Sequence, residues 1–158
     1  MNMHKTRARW AWLGMGFMFL AGAAQAVEVH DLKGFEDLFG RYAPGGDCER
    51  QPQVIVDVTG FTFEIGGKLE KVTNPEYAAS YAAHDYTGIA KWFFPYRKGD
   101  GYPILMTFSG DEKKGTLAID PNDEGYQGGP ALSPGNAALV KGSPYARCKA
   151  SPGTAYSR

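Results

Sequence analysis

Two short runs in this 158-residue chain carry side chains suited to binding a cation or moving a proton. DPNDEG, residues 120–125, opens like a calcium loop of the form D-x-[DN]-x-[DN]-G, with Asp120, Asn122 and Glu124 at ligand-like places. The match then fails, because Ala131 stands where a bidentate Glu is needed. No metal and no cofactor is expected. The run reads instead as an Asx-type turn leaving a strand. Its three carboxylates, Asp120, Asp123 and Glu124, are also candidates for presenting negative charge to a basic partner. AAHDYTG, residues 82–88, sets His84, Asp85 and Tyr86 in a row. Sequence neighbours seldom orient one another for catalysis, and a histidine after an alanine-rich helix serves as a C-terminal cap. These three residues remain partner-binding candidates.

Aromatic side chains form the third group. Trp92, Phe93, Phe94, Pro95 and Tyr96 run together, and strand geometry would put Trp92, Phe94 and Tyr96 on one face. Core packing is the expected use, with Trp92 and Tyr96 as candidates for a sugar-binding platform. Only His30 and His84 follow residue 26, and there is no H-E-x-x-H, G-x-S-x-G, P-loop or G-x-G-x-x-G motif. Binding is therefore expected ahead of turnover, although a carboxylate pair leaves no local signature.

The ends of the chain indicate the compartment. Lys5, Arg7 and Arg9 precede the apolar run Trp10 to Leu20, and Ala24-Gln25-Ala26 offers small residues at a cleavage site. This is the pattern of an export signal over residues 1–26, cleaved before Val27, with no membrane span left afterwards. Cleavage leaves fourteen basic and seventeen acidic residues, a formal charge of −3. That balance argues against nucleic acid as a partner. Cys48 and Cys148 are the only cysteines, and in an oxidising compartment two such residues are expected to join. The protein is thus expected in the periplasm or outside the cell.

The elements that must position these groups follow from periodicity. Leu32, Phe35, Leu38 and Phe39 suggest a short helix, capped by Asp31 and ended by Gly40. Val54, Val56 and Val58, then Phe61, Phe63 and Ile65, alternate around Thr59-Gly60 as a hairpin, and Gly66-Gly67 turns into a third strand. Asn74-Pro75 looks like the opening of an alanine-rich helix. Strand patterns return at TGIAKWFFPYR, GYPILMTFSG and GTLAID, and Ser133-Pro134 opens a last helix that Gly142 stops.

The expected fold is α+β: about six antiparallel strands in two three-stranded meanders, two or three short helices and one disulfide. A small β-barrel is the alternative. Residues 27–150 would form one domain, with 151–158 as a disordered tail. Exported single-disulfide β-rich domains of this size include inhibitors of lysozyme and related wall-cleaving enzymes, and the chain is similar to them in format. The expected function is an inhibitor or immunity-type protein that occludes a basic cell-wall hydrolase. A cell-wall glycan-binding module and a small envelope hydrolase are the alternatives.

Overall fold

Alternate residues of four strands point to one side and are buried: Val54 and Val56, Phe61 and Phe63, Ile104, Met106 and Phe108, and Leu117 and Ile119. Such period-two burial is how a sheet encloses a core on one face. The computed structural model describes residues 26–78, 86–98, 101–122 and 131–149. In chain order the strands are β1 (Val27–Glu28), β2 (Gly40–Pro44), β3 (Gln53–Asp57), β4 (Gly60–Ile65), β5 (Lys68–Val72), β6 (Glu76–Tyr77), β7 (Lys91–Phe94), β8 (Ile104–Phe108), β9 (Thr116–Pro121) and β10 (Tyr145–Arg147). One helix, α1 (Pro134–Gly142), lies between β9 and β10.

All ten strands form one antiparallel sheet in the order β1-β6-β7-β8-β9-β10-β2-β3-β4-β5, curled into a half-barrel. The curl follows from connectivity. Strands β5 and β6 stand eight places apart in that order, roughly 38 Å in a flat sheet. Only Thr73, Asn74 and Pro75 join them, and four residue steps reach no more than roughly 14 Å. Phe61 of β4 accordingly meets Phe93 of β7 with ring centroids 5.4 Å apart, and Phe108 of β8 at 5.9 Å. Leu32 and Leu38 fill the concavity from one side and Leu139 of α1 from another.

The α+β expectation is therefore corrected. The chain is mostly β, and the two expected meanders, β3-β4-β5 and β7-β8-β9, are stretches of a single sheet. They are welded by β2 and β10, which pair with each other and with β3 and β9. The sheet does not close into a barrel, since β1 and β5 are its two edges.

One expected helix and the opening of another do not form, for local reasons. Gly34 takes φ +88°, a conformation foreign to a right-handed helix. Asp31 accepts from the Lys33 amide at 3.1 Å, and only the 3-10 turn Glu36–Leu38 forms. Asn74 donates to Glu28 at 3.1 Å, and Glu76 and Tyr77 join the sheet as β6. Residues 79–85, the rest of that expected helix, lie outside the described residues, as do residues 1–25 of the expected signal 1–26 and the expected tail 151–158. The last helix forms where expected. Ser133 Oγ accepts from the Asn136 amide at 3.2 Å, with Pro134 in the first turn.

Candidate functional site

Cys48 and Cys148 are bonded, with Cα atoms 5.7 Å apart and a sequence separation of 100. The bond lies beside the seam where β10 meets β2. Cys148 directly follows β10, and its amide donates to the Arg41 carbonyl of β2 at 2.7 Å. Cys48 sits on a turn held from below. The buried Gln53 side chain donates to the Cys48 carbonyl at 2.6 Å and to that of Arg50 at 2.9 Å. Arg41 donates to Gln53 Oε1 and, at 2.9 Å, to Glu64. A loop of this length gives the disulfide about 4.7 kcal/mol in the chain-entropy model.

A second set of groups braces the seam from inside the curl. Tyr42 donates to the Leu38 carbonyl at 2.8 Å and Tyr145 to the Leu139 carbonyl at 2.6 Å. Arg147 donates to the Tyr42 oxygen at 2.9 Å, to the Asp37 carbonyl, and lies over the Tyr42 ring. Burial pushes the Tyr42 hydroxyl above its ordinary pKa, against the pull of Arg147. None of these tyrosines or arginines was singled out in the sequence. Arg147's partners lie 105 and 110 residues away, so no local pattern reveals that clasp.

The acidic candidates begin at the end of β9. Asp120 is paired with Leu105 of β8 and exposed. Asp123 and Glu124 lie outside the described residues, but both flanks of 123–130 are tied to the frame. The Asn122 amide donates to the Pro103 carbonyl at 3.2 Å. On the far side Lys98 Nζ donates to the Ala131 carbonyl at 3.4 Å, and Tyr96 donates to the buried Asn136 of α1.

Of the second candidate run, His84 and Asp85 lie outside the described residues, and Tyr86 is a strut. Its hydroxyl donates to Glu112 at the tip of the β8–β9 hairpin and accepts from the Ala90 amide at 2.8 Å. Glu112 also accepts from the Ile89 amide at 3.0 Å. That amide bond, followed by the one from Tyr86, holds the Glu112 carboxyl below its usual range. Desolvation, then the Glu112 hydrogen bond, raises the Tyr86 hydroxyl. Tyr86 is thus bound to the hairpin tip, while Asp120 is at the other end of β9, roughly 15 Å away along the strand. The two described partner-binding candidates, Tyr86 and Asp120, are therefore not brought together.

The aromatic candidates also part company. Strand β7 ends at Phe94, and Pro95 redirects the chain. Trp92 packs on the outer face of the sheet with Phe94, Leu105 and Tyr102, whereas Tyr96 turns inward against the main core. The expected shared face for Trp92, Phe94 and Tyr96 is corrected accordingly. On that outer face Phe94 and Tyr102 stack at 4.2 Å, Arg97 lies over Tyr102, and both Arg97 and Tyr102 donate to Glu76.

Among the described residues no three His, Cys, Asp or Glu side chains gather as a metal site, and no helix is long and apolar enough to cross a membrane. Compared with family models, with curated proteins and with solved structures, the chain matches none.

Proposed function

We propose that this is an exported binding protein that occludes a basic protein partner, with a cell-wall hydrolase as the partner class. The observation that carries the reading is the pinned acidic end of β9. Asp120 is exposed there, and the chain on either side of 123–130 is tied through Asn122, Ala131 and Asn136 to a disulfide-closed sheet. A segment held at both ends loses less conformational freedom on binding. The formal charge of −3 left by signal cleavage favours encounter with a basic surface.

The test is the affinity of the oxidised protein for purified basic wall hydrolases at low and moderate salt. Binding should weaken as salt rises. Replacing Asp120 and Asp123 by Asn and Glu124 by Gln together should weaken it further and flatten the salt dependence. Unchanged affinity in that triple variant would remove the acidic end from the mechanism. Capture of glycan fragments alone would favour a wall-binding module instead.

A further inference from the structure

The edge strand β5 is the longest exposed edge of the sheet. Lys68, Leu69, Glu70 and Lys71 are all exposed, Leu69 at 68%, and β5 has a neighbour on one side only. Among the described residues Lys68, Glu70 and Lys71 form no ion pair, unlike Glu64 on the neighbouring β4, which pairs with Arg41 of β2. Charged residues on an edge usually serve to repel other strands. Here their order has the opposite effect. Lys68-Leu69-Glu70, read backwards with signs exchanged, is the same run.

The backbone phase fits that symmetry. Ile65 and Lys68 close a two-residue turn whose glycines, Gly66 and Gly67, both have positive φ, the geometry of a tight hairpin closed by a hydrogen-bonded pair. Hydrogen-bonded and open pairs alternate along an antiparallel ladder. The amides and carbonyls of Lys68, Glu70 and Val72 therefore face β4, and those of Leu69 and Lys71 face outward. We infer that β5 pairs antiparallel with β5 of a second copy of this chain, about a two-fold axis at Leu69.

In that register Leu69 exchanges both backbone hydrogen bonds with its mate, and the two exposed leucines cover each other. Lys68 of each copy comes opposite Glu70 of the other. Moving the axis to Glu70 would set the two glutamates face to face, and moving it to Lys71 would oppose the two lysines. Only the Leu69 register satisfies charge and hydrogen bonding together. A five-residue seam buries less than the ~1,000 Å² of a standing interface, so the dimer forms with rising concentration. It uses a strand remote in the sheet order from β9 and stands independently of the proposed function.

Sedimentation velocity over a concentration series tests it, using the oxidised protein and the variants Lys68→Glu and Glu70→Lys, with folding checked by thermal melts. The wild type should pass from monomer to dimer. Each variant alone opposes like charges at both contacts and should lose about tenfold or more in dimer affinity. An equimolar mixture of the two variants restores opposite charges at both contacts and should associate again. A wild type that stays monomeric to millimolar concentration would overturn the inference. So would single variants that associate as the wild type does, or a mixture that stays monomeric.

Discussion

The hairpin strands and the seam between them are held by different means. In β3-β4-β5 each strand pairs with its immediate successor across two-residue turns, and alternation of apolar residues does the rest. In the seam, β2 meets β10 across 105 residues of sequence. Strand β10 has only three residues, β2 carries Gly40 and Pro44, and the pair relies on a disulfide, two buried tyrosine hydroxyls and Arg147. Local pairing needs little beyond a turn and a pattern. Non-local pairing must offset a loop-closure cost, and this molecule does so with covalent and polar fastenings.

The largest effect comes from removing a group shared by the two hairpin stretches that the seam joins. Phe61 of β4 touches Phe93 and Phe108 across the curl. Phe61→Ala should cost about 3–5 kcal/mol, seen as a lowered denaturant midpoint with one transition for both halves. Two separated transitions would mean that the meanders stand alone.

A smaller effect sharpens the seam itself. Tyr145→Phe removes the donor to the Leu139 carbonyl and leaves a buried acceptor unpaired, worth about 1–3 kcal/mol by denaturant titration. A cost near zero would mean that this hydroxyl does not hold β10.

The smallest effect concerns the Tyr86–Glu112 tether at the hairpin tip. Glu112 has a lowered pKa, so its contribution is present above its unfolded value and is lost as pH falls through the lowered one. Tyr86 has a raised pKa, so its contribution is present below its unfolded value and is lost as pH rises through the raised one. The Ile89 amide resonance should therefore hold steady from about pH 5 to about pH 9 and move outside that window. In Glu112→Gln the acid-side change should vanish.

These differences also explain what could be read from the sequence. Strands β3, β4, β8 and β9 were legible because Val54/Val56, Phe61/Phe63, Ile104/Met106/Phe108 and Leu117/Ile119 write the buried face directly. The disulfide was legible from the cysteine count and the expectation of export. Strands β2 and β10 were not, because GRYAP and YAR carry no alternation long enough to see, and their partners are distant. The 31–39 segment misled because four apolar residues at helical spacing outweighed one glycine that needs a positive φ. Asp120 and Tyr86 are candidates the sequence offers, but Tyr86's tether to Glu112, 26 residues on, leaves no local mark. Pro95 was the available signal that Tyr96 leaves the face of Trp92 and Phe94.

The proposed occlusion needs a seam that does not open, so the most direct measurement is amide hydrogen exchange with and without the clasp. The oxidised protein would be compared with the Cys48→Ala/Cys148→Ala variant. The Gly45 amide, bonded to the Pro144 carbonyl, and the Arg147 amide, bonded to the Gly115 carbonyl, report on the seam. Both should exchange at least about tenfold faster in the variant and, because the seam then opens locally, faster than the amides of β4 and β8, whose change reports the global loss of stability. Seam amides that open in the variant with the same free energy as those of β4 and β8 would show that the disulfide acts on global stability alone and contradict its assignment as the fastening of the seam.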